Sequence, residues 1–136
     1  MQEQFTISTS KRQELIDITS QINSIIKKSK VKNGLCNVFT AHATAAIIIN
    51  ENYDTNICLD LLDSLNKLIP SGIWRHDKID GNADSHIKAA ILGPQETIPI
   101  NNGKLQLGQW QSLMMVELDG PRSDRKIIVT IIGDKN

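Results

Sequence analysis

LCNVFTAHATAAIIIN, residues 35 to 50, is the stretch on which the fold turns. Leu35 to Ala41 and Thr44 to Ile49 are two short segments rich in β-formers and apolar on both faces, the pattern of central strands covered on each side. Asn33 and Gly34 turn the chain into the first of them, and His42 falls in the break between the two. Upstream, Ile22, Ile25 and Ile26 make one apolar stripe at helical spacing. Thr19 or Ser20 is placed to cap that helix, and Lys27, Lys28 and Lys30 suit its C-terminal end, where cations meet the negative pole of the dipole. Earlier still, the alternation of Phe5 and Ile7 with Thr6 and Ser8, and then Glu14 to Ile18, predict two strands.

Downstream, Ile57, Leu61, Leu62, Leu65 and Leu68 recur at helical spacing between an Asp54 start and a Pro70 stop, predicting the longest helix. Residues 71 to 81 have no period. Asn82 then opens a short helix whose Ala83, Ile87, Ala90 and Ile91 face the core until Gly93 and Pro94 end it. From Gln95 the texture returns to β: Thr97 to Ile100, a turn at Asn101, Asn102 and Gly103, then Leu105 to Leu107, Ser112 to Leu118 and Lys126 to Ile132. Strands grouped around helices without strict βαβ alternation point to an α+β fold, one domain over residues 1–136, with Ile47, Ile49, Leu61, Leu65, Val129 and Ile131 in its core.

With 136 residues the chain can close a core without disulfides or a structural metal. Fifteen basic and fifteen acidic side chains cancel, and no Lys/Arg run makes a phosphate-backbone stripe, so nucleic acid is not an expected partner. The polar start and the lack of a long apolar run predict neither a signal peptide nor a membrane span. Cys36 and Cys58, far apart in apolar surroundings, read as reduced core thiols of a cytoplasmic protein.

The three histidines, His42, His76 and His86, each sit at an element boundary, where sites are built. Three neutral imidazoles with an open fourth position suit a catalytic divalent metal, zinc above others. The spacing of His76 and His86 matches no short metal motif such as HExxH, so three unconnected histidines is the competing reading. Among nearby carboxylates, Glu51, Asp77 and Asp84 are candidates to orient an imidazole or take a proton, against ordinary solvation and helix capping. The glycine-led helix entry at Gly81 and Asn82, with the guanidinium groups of Arg122 and Arg125, is suited to a phosphate or carboxylate. Trp74 and Trp110 border loops and can wall a pocket or fill a subunit contact.

The runs GLCNVFTAHATAAIIINENYD, DLLDSLNKLIP, HDKIDGNADSHIKAAILG, IPINNGKLQLGQWQ and ELDGPRSDRKIIV resemble, in order and nearly end to end, the signature blocks of the YjbQ-like family, also described as the secondary thiamine-phosphate synthase family. The resemblance implies a β-sandwich-like α+β domain with about three packed helices, assembled as a homotrimer, with His42, His76 and His86 near a metal or anion site. It also places the family's Asn-Glu, Gly-Asn, Trp-Gln and Pro-Arg pairs at Asn50 and Glu51, Gly81 and Asn82, Trp110 and Gln111, and Pro121 and Arg122. Two positions depart from the family pattern, Ala43 where a Thr follows the histidine and Gln109 where a Thr precedes the tryptophan. A hydroxyl is lost at each.

Two functions of different class follow. One is a metal-dependent enzyme acting on a small phosphorylated metabolite, with weak thiamine-phosphate synthase activity as one form. The other is a non-catalytic trimer that binds a metal or small anion. Both use Asn50, Gly81, Asn82, Gln111 and Arg122 for the ligand and the histidines for the metal. They differ in whether turnover follows binding.

Overall fold

The computed structural model describes all 136 residues. Eight strands and three helices alternate in groups along the chain: β1 (Gln2–Ile7), β2 (Glu14–Asp17), α1 (Thr19–Ser29), β3 (Asn33–Thr40), β4 (Ala45–Glu51), α2 (Thr55–Leu68), α3 (Ala83–Leu92), β5 (Gln95–Asn101), β6 (Lys104–Leu105), β7 (Gln111–Glu117) and β8 (Arg125–Asp134). A five-stranded sheet runs β1-β8-β3-β5-β6 and a three-stranded sheet runs β2-β7-β4. Every pairing is antiparallel. This is the α+β class expected from the grouping of elements.

The double-sided apolar pattern of β4 has a direct explanation. Side chains alternate across a strand, so Ala45 and Ile47 enter one cluster with Leu113 and Met115 of β7, joined by Val38 of β3, Val129 of β8 and Ile22 of α1. Ala46 and Ile48 enter a second cluster with Met114 and Val116, which Leu62 of α2 and Ala89 of α3 cover from the other side. The small sheet is therefore the middle layer, with the large sheet and α1 on one face and α2 and α3 on the other. In its hydrogen-bond order β4 is an edge strand, not a central one, although Gly93 O accepts from Ile47 N at 3.1 Å and closes part of that edge. Ile47, Leu65, Val129 and Ile131 are buried as expected, whereas Ile49 and Leu61 are half-buried at the cluster margins.

Local chemistry sets the element ends. Asp54 caps α2 through its carboxylate, which accepts from Asn56 N at 2.9 Å. At α1 neither Thr19 nor Ser20 caps; the side chain of Asp17 accepts from Thr19 N instead, and the helix closes at Lys30 in the left-handed region. Gly34 of β3 faces Gly133 of β8, and a Cβ on Gly34 would stand 2.0 Å from Ile132 O, so these backbones approach at a distance only glycine permits. Cys36 is buried, and burial pushes its thiol up to about 11. Cys58 is only half-buried and donates to Asn52 Oδ1 at 3.2 Å. No helix is long and apolar enough to cross a membrane.

Candidate functional site

The aperiodic loop after α2 is organised by one carboxylate. Asp77, in a 3₁₀ turn over Arg75–Lys78, accepts from Trp74 N at 3.0 Å through Oδ2 and from Ala83 N at 3.0 Å through Oδ1. These backbone N–H groups, that of Trp74 foremost, hold the Asp77 carboxyl below its ordinary value. With one backbone bond on each oxygen, Asp77 fixes the loop that carries His76 to the start of α3.

The consequence is a close imidazole pair. The rings of His76 and His86 stand edge to face, with centroids 5.1 Å apart and planes at 87°. Together with Trp74, Ala83 and Ile87 they line a hollow of about 380 Å³. His76 Nε2 is sheltered from solvent and has no hydrogen-bond partner. Its closest carboxylate oxygen, Oδ2 of Asp80, is 3.6 Å away.

His42 lies beside this pair and not within it. It shares a neighbouring hollow with His86, Ala43, Ala45 and Pro94. Its Nε2 accepts from Lys126 N at 2.9 Å, which leaves the proton on Nδ1. Burial, and then the nearby charge of Arg125, lower its pKa and keep the ring neutral. His86 thus belongs to both hollows, while His42 and His76 face it from different sides. No group of three or more His, Cys, Asp or Glu side chains in the chain is placed to hold a metal ion. His76 and His86 form a ring pair, and no third donor joins them in a closed metal set within one chain.

Other candidates separate. Asp84 is two positions from His86 on α3, about 200° around the helix, and points away. Its Oδ2 pairs with Lys88 Nζ at 2.8 Å, with both side chains buried. Asn82 donates to Asp119 Oδ2 at 2.9 Å, and its own Oδ1 is buried without a partner. The helix entry expected to take a phosphate already receives Asp77 at Ala83 N, and Arg122 pairs with Asp119 at 3.1 Å. Arg125 is no surface fork: it is buried, bonded to Glu117 and donating to Thr44 Oγ1 at 2.9 Å. Glu51 ends β4 opposite Gln111, whose Oε1 accepts from Gly108 N at 2.8 Å. At roughly 3.3 Å per residue, Asn50 and Glu51 lie about 17 and 20 Å along the strand from Ala45 beside His42. There Tyr53 and Trp110 meet edge to face at 5.1 Å.

Sequence reasoning missed the buried acid Glu117 and the hub at Asp119. The only available signal was a pair of acids set just ahead of two arginines in ELDGPRSDR.

A family model described as UPF0047 protein YjbQ-like matches residues 3–134. A UPF0047 protein of Methanocaldococcus jannaschii is 46% identical over 131 residues, spanning 96% of this chain and 94% of that one. One from Methanothermobacter thermautotrophicus is 43% identical over 132 residues, spanning 96% and 91%. Among solved structures, a YbjQ-like protein of Sulfolobus solfataricus matches with a TM-score of 0.95 at 43% identity, over 98% of this chain and 97% of that one. A hypothetical protein from Aeropyrum pernix matches with a TM-score of 0.94 at 32% identity, over 98% and 99%. By sequence and by fold, the chain belongs to the YjbQ-like UPF0047 family.

Proposed function

We propose that the protein is an enzyme acting on a small phosphorylated metabolite, with His76 and His86 as the groups that meet the reacting oxygen. The observation that carries this reading is the sheltered, unpartnered Nε2 of His76 beside the ring of His86. A buried polar nitrogen without a partner is costly. A phosphoryl or other anionic oxygen seated between the rings would relieve that cost, and apolar walls at Trp74, Ala83 and Ile87 strengthen any such hydrogen bond. An imidazole within reach of a reacting oxygen can take its proton and return it. A divalent ion, zinc by donor chemistry, would be held by His76 and His86 and would supply charge to polarise the phosphoryl oxygen.

The remaining family-matched residues support assembly as a homotrimer with pockets at its contacts. Asn50, Glu51 and Gln111 lie far from the histidines of their own chain, and a ring of copies is an arrangement that brings opposite ends of neighbours together. Ile73, Ile79 and Ile91, exposed on the elements that carry His76 and His86, give apolar surface for such a contact.

The test is turnover of thiamine precursors and a panel of phosphorylated metabolites, with and without added zinc. His76→Ala and His86→Ala are each expected to lower turnover about 10²- to 10⁴-fold. Thermal unfolding should stay near wild type, since neither ring belongs to a core cluster. Saturable binding of a phosphorylated compound without turnover of any would favour the binding-protein reading. Turnover unaffected by both substitutions would contradict the site.

A further inference from the structure

On the opposite side of α3 from the histidines is a second hollow, of about 400 Å³, lined by Arg12, Gln13, Asn66, Ser71, Gly81 and Asp84, with no apolar side chain among them. Four separate segments converge there: the loop before β2, the end of α2, the turn after it and the start of α3. Asp84 is 3% exposed; Lys88 holds its Oδ2, and its Oδ1 is buried with no partner. Lys88 Nζ also donates to Asn66 Oδ1 at 2.7 Å, and the amides of Gln13 and Asn66 donate to each other at 3.0 and 2.9 Å. This is a fixed polar wall with one unpartnered acceptor.

We propose that this hollow binds a small, neutral, polyhydroxylated molecule, a sugar or polyol. Charge decides against the alternatives. Arg12 and Asp84 are the two charged residues of the lining and they cancel, so the lining itself has no net charge for a ligand to neutralise. Behind it Lys88 pairs with Asp84, and Arg12 shares Asp119 with Arg122. An anion drawn to Arg12 would face the free oxygen of Asp84, and an ammonium drawn to Asp84 would face Lys88 and Arg12. A hydroxyl both donates and accepts. One hydroxyl donates to Asp84 Oδ1, while its neighbours accept from the Arg12 guanidinium, the second N–H of the Asn66 or Gln13 amide, and the Ser71 hydroxyl. The volume is within the range of small-molecule sites and many times that of a single water.

The experiment is an amide-resolved NMR titration of the full chain with glycerol, D-ribose, D-glucose and myo-inositol, with inorganic phosphate and methylammonium as charged comparators. Saturable shifts at Ser71, Gly81 and Asp84 are expected for at least one polyol and for neither charged probe. Asp84→Asn should weaken that binding about tenfold or more. Because this change leaves Lys88 buried without its ion-pair partner, a second variant, Ser71→Trp, plugs the hollow from an exposed loop and should abolish the shifts while the rest of the spectrum is unchanged. No saturable shift with any of the four polyols, shifts that persist in Ser71→Trp, or preferential binding of phosphate or methylammonium at these amides would overturn the proposal. The histidine hollow takes no part in this readout, so the result stands apart from that of the turnover assay.

Discussion

Arg125→Ala is expected to lower the unfolding free energy by about 3 to 5 kcal/mol, the range for breaking a buried ion pair on one side. Glu117 is fully buried and Arg125 nearly so; the guanidinium donates to both carboxylate oxygens, and Thr9 Oγ1 donates to Oε1 at 2.7 Å. Without Arg125 the carboxylate remains in the core with only the Thr9 hydroxyl and the N–H of Asp119 to hold its charge. Urea melts at neutral pH measure the loss. Replacing both partners with apolar residues of similar volume, Glu117→Leu with Arg125→Met, should recover much of it.

The same pair sets the acid response. Burial pushes the Glu117 carboxyl up, but the bonds from Arg125, Thr9 and the Asp119 N–H outweigh it and hold the group below its ordinary value of 4.5. The native state therefore binds this proton less readily than the unfolded chain. The stabilisation from Glu117 is complete above pH 4.5 and is lost as pH falls through the lowered native value. In Arg125→Ala the bonds from Arg125 are lost while burial remains, so the Glu117 carboxyl stands higher than in the wild type, and the stability gap between the two should narrow as pH falls from the variant's native value through that of the wild type.

Ile47→Ala is the second large effect, expected at about 2 to 5 kcal/mol and toward the upper end. Ile47 is fully buried in the middle layer, on the face packed against the large sheet and α1, where few groups can collapse into the void. Leu65→Ala should fall at the lower end of the same range: Leu65 is 7% exposed and lies outside both clusters, at a helix surface that can shift. Denaturant midpoints at constant m-value compare the two.

The elements were largely legible because their signals are local. The Ile22, Ile25, Ile26 stripe, the Asp54 cap and the Gly93-Pro94 stop each specify backbone state within a few residues. The sequence pattern makes β4 a central strand and the structure makes it an edge strand, because two-sided burial reads the same whether a strand is paired on both edges or covered by helices at an edge. The site was half legible. Scarcity and boundary placement single out the histidines, but which of them share a hollow depends on the turn built by Asp77, a side-chain bond from residue 77 to the backbone of residue 83, and on side-chain orientation. Nor does sequence distance reveal that Asp84 and His86 serve opposite faces of one helix, or that Arg125 is buried while Arg122, three residues earlier, is half exposed.

The most direct test of the imidazole pair is a long-range ¹⁵N–¹H spectrum of the three histidine rings, recorded while phosphorylated compounds and thiamine precursors are titrated in. Saturable shifts are expected at the ring nitrogens of His76 and His86 with at least one phosphorylated compound. The Nε2 of His42, held by Lys126 N, should move little. Binding that leaves the His76 and His86 nitrogens unmoved, or a panel that shifts no histidine at all, would contradict that expectation.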